Sequence, residues 1–171
     1  MNTFSVDPKR IYFAGHSNGG FMSYRMACEY PNLIAGIASL AGATFENPDL
    51  CAPSEPVNIL QIHGTADSVI RYNGGSTGLS PYPGAMQTIQ TWGTYNSCKN
   101  LISDEAASPD LDFNVVGLDT TVTKFTEYPP GGAIELWTIN NGGHSPSITA
   151  GQNISEFPAR VIEWLIAHPK P

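Results

Sequence analysis

Positive charge is scarce in this sequence. Its 171 residues hold 8 Lys and Arg against 15 Asp and Glu, a net charge of -7 at pH 7, and the basic residues are scattered. Nucleic-acid phosphates call for basic patches, so nucleic acid is excluded as a partner and a small or neutral substrate fits better. Long hydrophobic runs are missing too. None approaches the roughly 18 residues of a membrane helix, so no membrane span is expected. The opening MNTFSVDPKR carries no apolar segment of the signal-peptide kind.

Cysteine is sparse, with Cys28, Cys51 and Cys98 and no C-x-x-C pair. Zinc is therefore not expected, nor any other metal. One disulfide with one free thiol fits an exported chain, and three reduced buried thiols fit one that stays inside. Cys28 and Cys51 are the better placed pair. Neither a P-loop nor a dinucleotide fingerprint is present, because the glycine-rich GHSNGG lacks the lysine of the first and the spacing of the second, so no cofactor is expected.

What remains is a chain of 41% hydrophobic and 13% charged residues, long enough for one domain over 1–171 with a buried core. Apolar runs rich in β-branched and aromatic residues recur at 10–14, 33–40 (LIAGIASL), 57–62 (VNILQI) and 134–139 (IELWTI), and each ends in small or polar residues. Such runs read as strands buried on both faces. Helical patterns lie between them at about 18–30, 85–97 and 153–167, and 121–128 alternates like a further strand. The Gly-, Pro-, Ser- and Asp-rich stretches 68–84 and 103–120 read as long loops. Strands alternating with helices predict an α/β fold, a mostly parallel sheet with helices on both faces.

GHSNGG turns the first strand into the first helix, and it fits G-x-S-x-G with Gly15, Ser17 and Gly19. A serine on so sharp a turn needs neighbours with almost no side chain. It projects above the carboxyl end of the sheet, where the helix behind it offers free N–H groups, Asn18 first, to a developing oxyanion. A plain glycine-rich connector is the competing reading. In open sheets of this kind ligands gather beyond the carboxyl ends of the strands. The loop after the third run carries Asp67, and the loop after the fourth carries His144. Ser17, Asp67 and His144 thus follow the chain order of an α/β-hydrolase: Ser17 needs a base, and the base needs a carboxylate to fix its tautomer.

Each assignment has rivals. Asp67 could cap a turn at 65–68, and Asp49, Asp104, Asp110, Asp112 and Asp119 are other acids. His16 cannot easily serve its own neighbour, His168 is expected to be solvated, and His63 more readily shapes the Asp67 loop than reaches Ser17. His144, beside Gly142 and Gly143, can be brought close by the backbone.

VDPKRIYFAGHSNGGFMSYRMACEYP, IHGTADSVIRYNGG and NNGGHSPS resemble the nucleophile, acid and histidine segments of the polyhydroxybutyrate depolymerase, feruloyl esterase and acetyl xylan esterase group of α/β-hydrolases. The resemblance runs from about Val6 to the last helix. It implies Ser17 as nucleophile, Asp67 as acid and His144 as base, the backbone N–H of Asn18 as oxyanion donor, and His16, Arg71 and Tyr72 at the substrate pocket. It also implies secretion and a Cys28–Cys51 bridge, since such enzymes are commonly exported and disulfide-bonded, although no signal-peptide pattern is read in the opening MNTFSVDPKR.

Three departures from the family pattern stand out. Ser145-Pro146-Ser147 replaces the usual Thr-Trp-Pro, so substrate preference does not carry over. Cys98 lacks its usual partner, where Tyr128-Pro129-Pro130 stands. Ser17 follows only sixteen residues, whereas relatives place several strands and a second oxyanion donor ahead of the nucleophile. The expectation is a truncated α/β-hydrolase in which losing that donor costs about 2.7 to 4 kcal/mol, roughly 100 to 1000-fold in rate. The strand at 10–14 becomes a sheet edge, predicting a homodimer or higher oligomer that covers it. The expected activity is serine carboxylesterase action on short-chain or aromatic acyl esters. The alternative is a non-catalytic remnant kept for binding or assembly.

Overall fold

Seven consecutive buried residues, Asn58–Gly64, form the spine of the fold as strand β3. With no exposed face, the strand needs cover on both sides, and its buried polar members Asn58, Gln61 and His63 each have a hydrogen-bond partner. The computed structural model describes residues 5–78, 80–104 and 109–171. Before β3 come β1 (Tyr12–His16), α1 (Asn18–Glu29) and β2 (Gly36–Leu40). After it come the hairpin β4 (Gly74–Thr77) and β5 (Ser80–Pro83), α2 (Ala85–Tyr95), β6 (Lys99–Asp104), β7 (Thr120–Glu127) and β8 (Ile134–Ile139). A two-residue pair, β9 (Thr149–Ala150) and β10 (Asn153–Ile154), precedes α3 (Phe157–Ala167).

The central sheet has six strands in the order β1-β2-β3-β8-β7-β6. The first four are parallel, while β7 and β6 run antiparallel. Alternate residues serve opposite faces. On one side Ile59, Ile37 and Leu136 pack with Tyr24 and Ala27 of α1 and with Ile89 and Trp92 of α2. On the other, Leu60, Ile62 and Ile139 pack with Trp164 and Leu165 of α3. Each such side chain contributes roughly 1.5–3 kcal/mol by leaving water. The mostly parallel sheet with helices on both faces is as expected from the sequence.

Differences sit at the polar segments. The first strand begins at Tyr12 rather than Arg10 and runs on through His16, because pairing with β2 spans Tyr12↔Gly36 to His16↔Leu40. Within 68–84, read as loop, β4 and β5 pair locally, Gly74 with Pro83 through Thr77 with Ser80. Strand β6 was hidden by the polar ends of KNLISD. Part of the 103–120 loop, residues 105–108, lies outside the described residues. His168 is half-buried rather than solvated, its ring 4.3 Å from that of Trp164 and its Nδ1 2.7 Å from the Trp164 carbonyl.

Cys28 and Cys51 form a disulfide with Cα atoms 5.5 Å apart, tying α1 to the loop after β2. Cys98 is free, and its Sγ lies 3.3 Å from the Gly132 carbonyl oxygen. Burial pushes its thiol pKa up to about 11.

Candidate active site

Ser17 sits at φ 55° and ψ -118°, a region non-glycine residues rarely enter. Such a conformation costs on the order of 1–3 kcal/mol and persists only when the surroundings impose it. Here the Ser17 N–H donates to the Leu40 carbonyl at 2.8 Å, and its carbonyl accepts from Gly20 and Phe21 at 2.9 and 3.1 Å. The backbone is thus pinned on both sides of the residue, and the N–H of Asn18 stands at the positive end of α1. Gly15 is required: a Cβ there would lie 2.2 Å from the Gly19 carbonyl carbon. Gly19 is not, since a Cβ on it meets nothing within 4 Å. The second glycine of the motif is therefore dispensable on steric grounds.

Asp67 follows β3 and is 5% exposed. One carboxylate oxygen, Oδ1, accepts the N–H groups of Val69 and Ile70 at 2.8 and 2.9 Å. The other, Oδ2, lies 2.8 Å from Nδ1 of His144. Asp67 thus caps the turn at 67–70 rather than 65–68 with one oxygen and faces the His144 ring with the other. With Nδ1–H donating to Asp67, the His144 ring keeps Nε2 as its acceptor nitrogen.

His63 supports this arrangement from beneath. It is 1% exposed, and its Nε2–H donates to the Ile70 carbonyl at 2.7 Å while Nδ1 accepts from the Gln61 amide at 3.2 Å. Gln61 Oε1 in turn accepts from the Tyr24 hydroxyl at 2.8 Å. Burial lowers the His63 pKa below the ordinary value, opposed by its bond to Ile70 and by the Asp67 carboxylate. The imidazole is neutral, and its long 3.5 Å approach to Asp67 leaves that carboxylate to His144.

The acid and histidine loops are stitched together. Thr65 N–H reaches the Ile139 carbonyl at 3.0 Å, Ala66 N–H reaches that of Gly142 at 2.9 Å, and Asn141 N–H reaches Thr65 Oγ1 at 2.8 Å. The chains approach so closely that a Cβ on Gly64 would stand 2.2 Å from the Gly142 oxygen. Toward Ser17 the link is His16, whose Nε2 donates to the His144 carbonyl at 2.9 Å and whose ring centroid lies 4.7 Å from that of His144. Among the described residues no hydrogen bond joins Ser17 Oγ to His144. Catalytic hydrogen bonds of this kind often tighten only when substrate is held.

A cavity of about 450 Å³ opens beside the serine, lined by Ser17, Asn18, Phe21, Ile70 and Thr77. A second, of about 420 Å³, meets it at Phe21 and Thr77 and is walled by Phe45, Leu50, Pro81 and Tyr82 with Glu46 at its edge. None of the three residues expected at the pocket lines either cavity. His16 turns to the histidine loop. Tyr72 turns into the sheet, its hydroxyl 2.9 Å from Thr138 Oγ1 and its ring edge-on to His63. Arg71 is exposed, and its main-chain N–H donates to the Tyr82 hydroxyl at 2.9 Å. Phe21, Ile70 and Thr77 were not singled out from the sequence. The signal for Phe21 was its place one helical turn after Ser17; Ile70 and Thr77 lie in the stretch 68–84, read as a long loop beside the acid.

A phospholipase/carboxylesterase family model matches residues 2–97. The chain is 30% identical over 148 residues to feruloyl esterase B of Piromyces equi, covering 82% of this chain and 26% of that protein. It is 30% identical, with coverage of 82% and 43%, to the putative esterase NocK of Nocardia uniformis subsp. tsuyamanensis. It is 31% identical, with coverage of 72% and 26%, to poly(3-hydroxyalkanoate) depolymerase C of Paucimonas lemoignei. The chain thus spans about a quarter to somewhat under half the length of these relatives. The acetyl xylan esterase of Aspergillus awamori superposes with a TM-score of 0.56 at 15% identity, over 94% of this chain and 60% of that one, which shows the shared fold. With that fold and a family model matching more than half of its length, the chain belongs to the phospholipase/carboxylesterase family of α/β-hydrolases.

Proposed function

We propose that this chain is a serine carboxylesterase in which Ser17, His144 and Asp67 act as nucleophile, base and acid. The observation that carries the reading is the 2.8 Å contact between His144 Nδ1 and the buried Asp67 carboxylate, in the loops beyond β3 and β8, at the same end of the sheet as the strained Ser17 after β1. Ser17 Oγ attacks the ester carbonyl as His144 Nε2 takes its proton, and the N–H of Asn18 receives the oxyanion. Collapse expels the alcohol, which leaves with the proton from His144. Water then attacks the acyl-serine, giving its proton to His144, and the acid departs as Ser17 is restored. Asp67 holds the ring through Nδ1 and stabilises the imidazolium.

The substrates are short-chain or aromatic acyl esters. An apolar cavity of about 450 Å³ beside Ser17, walled by Phe21 and Ile70, suits an acyl arm of that size. The test is hydrolysis of p-nitrophenyl acetate and butyrate and of methyl ferulate, with Ser17→Ala as control. Turnover that disappears in the control supports the reading. Equal slow hydrolysis by both proteins supports a non-catalytic remnant instead.

The same reading extends to assembly. Strand β1 is the sheet edge, and beside it an apolar cavity of about 260 Å³ is lined by Ala14, Leu40, Ile62, Phe157 and Val161. Unpaired edge groups invite pairing, and a second copy of this chain covers them. Sedimentation equilibrium is expected to return a dimer or larger; a monomer at every concentration overturns the assembly.

A further inference from the structure

The segment bearing His144 is gripped at two points that the triad does not use. His16 Nε2 donates to the carbonyl of His144 itself, at 2.9 Å. Three residues on, the Ser147 N–H donates to Asp112 Oδ1 at 2.8 Å, and the Ser147 carbonyl accepts the Phe113 N–H at 3.0 Å. Asp112 is 2% exposed, so its carboxylate is held by N–H groups rather than by water.

Asp112 is itself held in place. Its N–H donates to Asp119 Oδ2 at 2.7 Å, and the Leu111 N–H reaches Asp119 Oδ1 at 3.1 Å. Asp119, also 2% exposed, takes the Thr120 hydroxyl at the start of β7. Its carbonyl accepts the Asn140 N–H at 2.8 Å, just past the end of β8. A chain of short bonds therefore runs from β7 through Asp119 and Asp112 to Ser147. It braces the histidine loop at Ser147, three residues beyond the His16 contact.

We infer that His16 and Asp112 are positioning residues that fix His144 for proton transfer by clamping residues 144–147 from both ends. The inference rests on the proposed esterase reading. Asp112 reaches the loop through main-chain N–H groups, while His16 bonds the His144 carbonyl and also lays its ring 4.7 Å from the His144 ring. Each acts through the backbone of the loop, whose flanking Gly142 and Gly143 would otherwise leave it free to swing. Placement errors of about 1 Å cost on the order of 100-fold in rate, so releasing a clamp affects kcat rather than KM.

The test compares Asp112→Ala and His16→Ala with the conservative Asp112→Asn and His16→Gln, which keep an acceptor for Ser147 N–H and a donor for the His144 carbonyl. The readouts are kcat and KM on p-nitrophenyl acetate and the low-field proton resonance of the His144 Nδ1–H. Each alanine variant is expected to lose at least about tenfold in kcat at unchanged KM and to broaden or shift the resonance, with both properties restored in its conservative partner. Alanine variants within twofold of the parent with an unmoved resonance overturn the inference, as does equal loss in Ala and conservative variants. Should Asp112→Ala fail to fold, the exposed His16 pair carries the test. A parent without Ser17-dependent turnover sinks the esterase reading alone, because the resonance reports the clamp without turnover.

Discussion

Asp67 Oδ2 and His144 Nδ1 lie 2.8 Å apart although 77 residues separate them in the chain. The contact exists because β3 and β8 are parallel neighbours, paired from Ile59↔Ile134 to Gly64↔Ile139. Parallel pairing in register delivers both loops to the same end of the sheet, one carrying the acid and the other the histidine. The two side chains then need only the turn at Asp67 and the loop at Gly142–Gly143 to meet.

The close approach of those loops makes Gly64 sensitive, the tight turn at Ser17 makes Gly15 sensitive, and Gly19 is tolerant. Gly15→Ala and Gly64→Ala each force a Cβ within 2.2 Å of backbone. Each is expected to cost about 3 kcal/mol, roughly 6 to 12 °C in Tm. Gly19→Ala, with nothing within 4 Å of its Cβ, should melt with the parent. Differential scanning fluorimetry decides, and a Gly19→Ala loss equal to that of Gly15→Ala contradicts the steric argument.

Tyr72 provides the opposite test, of a residue the sequence points toward the pocket. Its hydroxyl bonds Thr138 on β8. Tyr72→Phe should therefore lower stability by about 1 kcal/mol while leaving the KM for p-nitrophenyl acetate unchanged. A raised KM at unchanged Tm would return Tyr72 to the substrate pocket.

The buried His63 makes stability depend on pH. Its folded pKa is lowered, chiefly by burial. The unfolded imidazole, near 6.5, takes up a proton that the folded one resists, so the contribution is full above about 6.5 and lost as pH falls toward the folded value. Urea midpoints between pH 5 and 8 should fall with acid, and less steeply in His63→Gln. Identical slopes in both proteins would contradict this.

Cys98 should be slow toward thiol reagents. The thiolate is the nucleophile, and a pKa pushed up to about 11 keeps it scarce at pH 8. Labelling by 5,5′-dithiobis(2-nitrobenzoate) should be about a hundredfold slower in the native protein than in urea, since the ordinary thiol pKa is near 8.5. Equal rates would show the thiol to be unperturbed.

What the sequence made legible follows burial. Ile134–Ile139 matches its predicted span because five of its six residues are buried and Ile134, Leu136, Trp137 and Ile139 keep the run mostly apolar around Glu135 and Thr138. The hairpin β4–β5 escaped because glycine and proline supply half of its residues and its pairing is purely local. In the site, Ser17, Asp67 and His144 stood out because each falls just past a strand end. The bracing by Asp112 and Asp119 did not, since loop carboxylates that bond main-chain N–H groups have no periodicity and look like any solvated acid. His16 was read toward the pocket, and nothing in the sequence signals that its ring nitrogen bonds the His144 carbonyl, 128 residues on.

The most direct test of the account is covalent. The protein is exposed briefly to p-nitrophenyl acetate, quenched in acid and mapped by peptide mass spectrometry. The account predicts an acetyl group on Ser17, absent in Ser17→Ala and formed far more slowly in His144→Ala and Asp67→Ala. Acetylation at the same rate in His144→Ala, or its absence from Ser17 in a protein that hydrolyses the ester, would contradict it.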